Sequence, residues 1–179
     1  IVATPGATHL SITTAALERD VPVLLEKPVG MTAAEGDALI AAEARSKAFV
    51  LPGHILRFSA PHRQLVEIVG SGVLGPVLAV TCRKHRDDAH ATGYPDVDPV
   101  LMTLIHYIDV LQWATGSLPE VVYALRNPPE SFRSVTVVTG RDSAGVAWNL
   151  TNAWIMPGPC PPDRIEITCA RGTIELDEG

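Results

Sequence analysis

The sequence is poor in cysteine and aromatic residues and has no excess of positive charge. Its 179 residues include three cysteines, 5% aromatic residues, and 14 Lys+Arg against 20 Asp+Glu, which gives a formal net charge of −6. Three cysteines without a Cys-x-x-Cys pair are typical of a reducing compartment, so we expect a cytoplasmic protein. The acidic balance argues against nucleic acid as a partner, because the phosphate backbone attracts clustered Lys and Arg.

Long hydrophobic runs and the features of a signal peptide are missing as well. The apolar stretches are far shorter than the roughly 18 residues that span a bilayer, so we expect no membrane partner. No charged segment precedes an apolar one near the first residues. Apolar residues nevertheless make up 46% of the sequence, which is enough to build a core and excludes a disordered chain.

The first third of the sequence alternates strand and helix patterns. Ile1–Val2 leads into a Thr-Pro-Gly turn, a helix is predicted over Ala7–Arg19, and the apolar run Val21–Leu25 predicts a strand. A Thr-x-x-Glu capping box then predicts a helix over 33–47, and a third strand follows at 49–51. Such alternation is typical of a parallel sheet.

The rest of the sequence has a different pattern. A helix capped by Ser59, a strand over Val77–Arg83, a polar loop over His85–Asp96 and a helix over Asp98–Gly116 are predicted first. Five short alternating strands then predict an antiparallel sheet with one exposed face: Val121–Leu125, Val135–Thr139, Val146–Asn152, Arg164–Cys169 and Thr173–Leu176.

These two patterns predict an α/β protein with two domains. Residues 1–55 would be the C-terminal half of a parallel, Rossmann-type sheet and thus part of a dinucleotide-binding domain. Residues 56–179 would be an α+β domain with a largely antiparallel open sheet. Because the first and last strands are cut short, we expect an internal piece of a longer protein whose second domain is truncated at its C-terminus.

One tripeptide stands at a position where α/β proteins bind ligands. Glu26-Lys27-Pro28 follows an apolar strand directly, which puts it at the carboxyl edge of the parallel sheet. A lysine there supplies a compact cation that can hold a substrate oxygen, and its pKa falls when it is buried. The X-Pro bond is able to adopt the cis form. The alternative interpretation is a solvated loop with incidental charges.

A histidine and an aspartate share one face of the Asp98–Gly116 helix. His106 and Asp109 are three residues apart, so both side chains project to the same side. An imidazole titrates near neutral pH and can act as a general base. The alternative is a structural His–Asp pair on a half-buried helix.

Two other motifs favour a plain structural interpretation. Residues 70–75 match Gly-x-Gly-x-x-Gly, but a helix precedes and a strand follows them, the reverse of a dinucleotide-binding loop, so they predict a helix end and a turn. His85, Asp87 and His90, with Asp96 and Asp98 beyond them, carry metal-ligating groups. Their spacing matches no known closed site, so we predict no metal.

Six segments, taken in order, resemble the Gfo/Idh/MocA family, the relatives of glucose–fructose oxidoreductase and inositol dehydrogenase. The resemblance covers essentially the whole chain and rests on these segments: Ala3-Thr4-Pro5 with His9, Glu26-Lys27-Pro28, the stretch from Gly53 to Phe58, Ser71–Gly75, Leu104–Asp109 and Arg171–Glu175.

The resemblance implies an oxidoreductase that binds NAD or NADP. It would transfer a hydride between nicotinamide and a secondary alcohol of a sugar or cyclitol-like polyol, and it would form a homo-oligomer through the open sheet. The implied catalytic residues are Lys27 and His106, and the implied substrate-binding residues are Asp109 and Thr103. The residues implied to bind the cofactor are Thr4, Pro5, His9, Glu26, Lys27 and Pro28.

The sequence departs from the family pattern in two ways. Many members have an acidic residue four positions before the histidine, where this chain has Met102. The glycine-rich loop also does not occur in these 179 residues, so we expect this chain alone to be inactive. A non-catalytic sugar-binding or regulatory relative is therefore an alternative, and a metal-dependent hydrolase that uses His85, Asp87 and His90 is a weaker one.

Overall fold

The fold is known from a computed structural model, which describes residues 1–94, 97–131 and 133–178. The chain divides into two compact units, Ile1–Ile55 and Leu56–Gly179. Among the described residues, no helix has both the length and the apolar character required to span a membrane.

The first unit is a small parallel sheet with two helices. Strands β1 (Val23–Leu25) and β2 (Val50–Pro52) pair in parallel, and Val2 forms a parallel bridge with Leu25. The helices are α1 (His9–Leu17), which follows a 3-10 turn, and α2 (Ala33–Glu43). The predicted parallel arrangement is confirmed.

Side-chain hydrogen bonds mark where helix α2 of this unit begins and ends. Thr32 Oγ1 accepts a bond from the Glu35 amide (3.2 Å), and Glu35 Oε2 accepts one from the Met31 amide (2.6 Å), so the capping signal at 32–35 is confirmed. The predicted end of α2 at Lys47 is wrong by four residues. Asp20 Oδ1 accepts a bond from the Lys47 amide at 2.8 Å and holds the segment after Glu43 in a turn instead.

The second unit is built on a six-stranded sheet with the order β4-β5-β6-β3-β7-β8. The strands are β3 (Val77–Asp87), β4 (Val121–Asn127), β5 (Val135–Arg141), β6 (Ala147–Met156), β7 (Asp163–Cys169) and β8 (Gly172–Glu178). All neighbouring strands are antiparallel except β3 and β6, which pair in parallel. The predicted, largely antiparallel sheet is thus confirmed.

Helices cover one face of this sheet. They are α3 (Ala60–Gly70), the short α4 (Asp88–Gly93), and a helical stretch that begins as a π-helical turn at Val100–Leu104 and continues as α5 (Ile105–Thr115). The core between helices and sheet includes Leu65, Val80, Leu111, Trp148 and Ile167.

The predicted boundaries of the long helix match its caps. Asp98 Oδ1 accepts a bond from the Val100 amide at 2.8 Å, and Gly116 ends α5 at φ 76°, a conformation that glycine adopts without steric cost. Ser59 precedes α3 as predicted, but its hydroxyl contacts the His62 ring (2.9 Å) rather than a backbone amide.

The predicted polar loop at His85–Asp96 is wrong where the structure describes it. β3 continues to Asp87 and α4 follows directly. β3 lies inside the sheet with a partner on each side, and the pairing to β6 continues past His85, so the ladder extends the strand through its charged residues. Asp96 lies outside the described residues.

The glycine-rich segment at 70–75 is a helix end and a turn, as predicted. α3 ends at Gly70, and Gly72 and Gly75 have φ values of 68° and 76°. Arg171 donates to the carbonyl oxygens of Gly72 and Val73, both at 2.9 Å. The carbonyl oxygens of the turn therefore accept hydrogen bonds from another segment of the same unit.

Candidate active site

The carboxyl ends of the parallel strands bring three loops of the first unit to one edge. Val2, β1 and β2 run in the same direction, so the loops that start at Thr4, Glu26 and Gly53 leave the sheet on the same side. This is the edge at which open α/β sheets bind ligands. Thr4 and Pro5 are exposed there.

His9 connects two of these loops through its two ring nitrogens. Its Nδ1 lies 2.8 Å from the carbonyl oxygen of Pro28, and its Nε2 lies 2.8 Å from that of Thr4. The residue is 1% exposed. The ring therefore holds the two loops together from inside the unit. The expected contact of His9 with the cofactor stays a prediction.

Lys27 is half-buried at the end of β1. Burial lowers the pKa of its ammonium group, and the neighbouring carboxylate of Glu26 opposes that shift. The Lys27–Pro28 peptide bond is cis, the form that the sequence allows. The side chain is thus a cation partly withdrawn from water, at the edge where open α/β sheets bind ligands.

Gly53 makes room for this arrangement. Its amide donates to the Leu25 carbonyl oxygen at 2.7 Å. A Cβ atom at position 53 would lie 3.2 Å from that oxygen and 3.3 Å from Cδ of Glu26. A side chain here would push against the residue next to Lys27, a constraint that the sequence alone did not indicate.

In the second unit, His106 and Asp109 lie on α5. Arg57 binds the Asp109 carboxylate through two nitrogens: Nη2 lies 2.8 Å from Oδ1 and Nε lies 2.9 Å from Oδ2. The guanidinium carbon also lies 5.4 Å from the centroid of the Trp113 ring. The hydrogen bond to Asp109 is the main cause that raises the pKa of Arg57.

Arg57 was missed in the sequence, although it belongs to the 53–58 segment that carries the family resemblance. The resemblance implies that Asp109 binds substrate, which stays a prediction. The structure places a two-point arginine contact on this carboxylate, across 52 residues of sequence.

The hydroxyl of Thr103 is fully used inside the second unit. It donates to the Pro99 carbonyl oxygen at 2.9 Å and accepts from Asn152 Nδ2 at 2.7 Å and from Trp154 Nε1 at 3.2 Å. One donor and two acceptor positions are all that a hydroxyl has. Thr103 is also buried, and these bonds hold the π-helical turn against β6. The expected contact of Thr103 with substrate stays a prediction.

A row of polar side chains crosses the sheet beneath this helix, one from each strand. Its members are Arg126, Thr136, Asn152, Lys84, Asp163 and Glu178, and we call them the polar row. Register partners join Arg126 to Thr136, Thr136 to Asn152, Asn152 to Lys84 and Asp163 to Glu178. A salt bridge of 2.5 Å joins Lys84 to Asp163.

The polar row anchors α5 next to His106. The buried Tyr107 donates its hydroxyl to Glu178 Oε2 at 2.5 Å, and Lys84 Nζ lies 4.3 Å from the centroid of the Tyr107 ring. Burial, followed by the bond to Glu178, raises the pKa of Tyr107. Burial acts to raise the pKa of Asp163, but hydrogen bonds from Arg86 and Lys84 outweigh it and the pKa lies below its ordinary value.

Of the residues considered for a metal site, those that the structure describes do not form one. Across residues 1–94, 97–131 and 133–178, no three His, Cys, Asp or Glu side chains lie close enough together to hold a metal ion. Asp87 instead caps α4 through the His90 amide at 3.2 Å, and Asp98 pairs with Arg126 at 2.7 Å. The hydrolase alternative has no support from this geometry.

Comparison with known proteins gives the same assignment as the resemblance in the sequence. Residues 1–54 match the model of an oxidoreductase family with an NAD-binding Rossmann fold, and residues 62–175 match the model of the GFO/IDH/MocA C-terminal domain. The chain belongs to the GFO/IDH/MocA family.

Curated relatives in the GFO/IDH/MocA family align with most of this chain but with only a third to a half of their own length. Inositol 2-dehydrogenase of Streptomyces avermitilis is 30% identical over 183 residues, which cover 99% of this chain and 53% of that protein. The chain thus spans about half the length of this relative. Inositol 2-dehydrogenase of Rhodococcus erythropolis is 37% identical over 114 residues, which cover 63% of this chain and 33% of that protein.

A solved structure of the same fold contains cofactor. The WlbA dehydrogenase of Bordetella pertussis, in complex with NADH and UDP-GlcNAcA, superposes with a TM-score of 0.87 at 19% identity, over 98% of this chain and 57% of that chain. At this identity the likeness establishes the GFO/IDH/MocA fold and confirms the predicted fold class.

Proposed function

We propose that this chain forms part of an NAD(P)-dependent oxidoreductase that acts on a secondary alcohol of a sugar or cyclitol-like polyol. The family assignment and the relatives named inositol 2-dehydrogenase support the reaction class and the substrate class. Residues 1–55 would belong to the dinucleotide-binding domain and residues 56–179 to the substrate and oligomerisation domain. The observation that carries the proposal is the half-buried Lys27 at the ligand-binding edge of the parallel sheet.

Lys27 would bind the reacting oxygen of the substrate. Its ammonium group is partly desolvated, as its lowered pKa reflects, so a substrate oxygen would replace hydration that the group has lost. A cation held in place is most effective where negative charge develops on that oxygen in the transition state. Gly53 and His9 would act as positioning residues, because they fix the loops on either side of it.

His106 would accept the hydroxyl proton as the alcohol is oxidised. A neutral imidazole is a suitable general base near neutral pH. The proton and the hydride leave the same carbinol group, so the proposal requires Lys27 and His106 to reach one substrate oxygen. Asp109 and Tyr107 would position the helix that carries the base.

The exposed Thr4 and Pro5 and the carboxylate of Glu26 would line the cofactor side of the edge, with Pro28 shaping the loop. Bound nicotinamide would supply the hydride-accepting carbon. The open face of the sheet would serve a homo-oligomer, which is supported by the exposed apolar side chains of β4 at Val121, Tyr123 and Leu125.

The test is NAD(P)H formation by the full-length protein that contains this chain, with a panel of cyclitols and sugars. Lys27→Ala and His106→Ala should each lower kcat/KM at least about 100-fold while NADH binding changes little. Lys47→Ala, a lysine exposed on the same unit, is the matched control and should retain activity. A folded protein that oxidises no polyol with either cofactor would refute the proposal.

A non-catalytic sugar-binding relative is the second candidate, and Met102 is the observation that favours it. A thioether in the position of the family's acidic residue cannot take part in proton transfer. Calorimetric titration with a cyclitol, combined with the NAD(P)H assay, would distinguish the two candidates. A binding protein would bind the cyclitol in the calorimeter but would form no NAD(P)H.

A further inference from the structure

The contact between Arg57 and Asp109 has features that a surface ion pair lacks. Asp109 is 8% exposed, and the guanidinium binds both carboxylate oxygens. Trp113, four residues further along α5, lies against the guanidinium at 5.4 Å. The Arg57 side chain itself is 45% exposed, so these contacts, rather than burial, orient its guanidinium, as planar two-point recognition does.

Asp109 lies one helical turn after His106 on the same face of α5. Residues three apart on a helix are neighbours, with Cβ atoms about 5–6 Å apart. An uncompensated carboxylate at that distance favours the charged imidazolium form. Such a form could not accept a proton, so the state of Asp109 bears directly on the role of His106.

Other charged groups packed against the helix largely balance one another. Beneath Tyr107 two cations and two carboxylates meet, and a buried histidine of α3 lies beside them: Lys84 and Arg86 from β3, Asp163 from β7, Glu178 from β8, and His62. Near the start of the helical stretch Asp98 is paired with Arg126 of β4. On the His106 side, Asp109 is compensated by Arg57.

We propose that Arg57 is a positioning residue that neutralises Asp109 and thereby keeps His106 in its proton-accepting form at neutral pH. The inference rests on the proposed role of His106 as the general base. It assigns a function to a residue of the 53–58 segment that the reaction scheme otherwise leaves unused.

The test is an NMR titration of the His106 ring in the full-length protein, with its signal assigned by comparison with His106→Gln. Arg57→Met should raise the titration midpoint of His106 by about one pH unit, because the Asp109 carboxylate then loses its two-point arginine partner. Asp109→Asn should lower the midpoint, because Arg57 is then uncompensated. Arg57→Lys, which keeps the charge, should stay near the wild-type value.

These opposite shifts separate an electrostatic role from a loss of structure, which would not move the midpoint in both directions. The double variant should lie between the two single variants. Arg133→Met is the matched control, since Arg133 forms an exposed ion pair with Asp88 at 2.6 Å, and it should leave the midpoint unchanged. If Arg57→Met does not fold, the shift in Asp109→Asn decides the question.

Kinetics then link the shift to the reaction. In Arg57→Met, the acidic limb of the kcat/KM profile should move upward by the same amount as the NMR midpoint, while KM for the cofactor is unaffected. An unchanged midpoint in both single variants would overturn the inference. An inactive wild-type enzyme with the predicted midpoint shifts would instead count against the proposed function alone.

Discussion

Replacement of Thr103 by valine should destabilise the second unit strongly, although the two side chains have almost the same shape. The change removes the acceptor that Asn152 Nδ2 and Trp154 Nε1 share. Both donor residues are 0% exposed, so neither nitrogen can turn to solvent. A buried donor without a partner costs about 1–3 kcal/mol, and two such donors, after partial relaxation, should lower the free energy of unfolding by about 3 kcal/mol.

Urea unfolding followed by tryptophan fluorescence measures this directly. The three tryptophans, Trp113, Trp148 and Trp154, all lie in the second unit, so the signal reports that unit alone. Thr103→Ser is the matched control, because it keeps the hydroxyl and loses one methyl group, at a cost of about 1 kcal/mol. If Thr103→Val and Thr103→Ser have the same free energy of unfolding, the structural role of the hydroxyl is refuted. If Thr103→Val changes only the KM for the polyol, the hydroxyl binds substrate instead.

The remaining predictions concern three other contacts. Gly53→Ala should reduce kcat/KM in the polyol oxidation assay, because the new Cβ presses on Glu26; unchanged kinetics would show that the edge tolerates the methyl group. Tyr107→Phe should lower the free energy of unfolding in urea by about 1.5 kcal/mol, because it removes a donor to a carboxylate, and a neutral result would count against the 2.5 Å bond. The lowered pKa of Asp163 stabilises the fold above the unfolded-state value near 3.9, and this contribution is lost as the pH falls through the folded-state pKa. Urea unfolding at low pH should show that loss, whereas Asp163→Asn should not.

Local signals in the sequence predicted much of the architecture. The capping residues Thr32 and Asp98 and the terminating Gly116 mark helix ends because each acts on amide or carbonyl groups a few residues away. The change from helix–strand alternation to short alternating strands likewise reflects which faces are buried. The sequence indicates Lys27 and His106 as candidate catalytic residues because a chemical group and a local element coincide at each of them.

Contacts between distant segments could not be predicted in the same way. Arg57 meets Asp109 across 52 residues, and Lys84 meets Asp163 across 79. Such pairs depend on strand order and register, which nothing in a local window specifies. The partners of Thr103 on β6 likewise become visible only once the sheet is assembled.

The extension of β3 through Lys84 and Arg86 has the same cause. Consecutive charged residues are typical of a loop, but here Lys84 and Arg86 both donate hydrogen bonds to Asp163 on the neighbouring strand. A strand inside a sheet also gains backbone hydrogen bonds on both sides. Together these interactions outweigh the local preference for a loop.

The central claim is that Lys27 and His106 act on one substrate oxygen, and an experimental structure of the full-length protein with NAD(H) and a bound cyclitol tests it most directly. Lys27 Nζ and a ring nitrogen of His106 should both lie about 2.6–3.2 Å from the same hydroxyl oxygen. A cyclitol seated with its nearest hydroxyl on only one of these side chains, and the other directed elsewhere, would contradict the account.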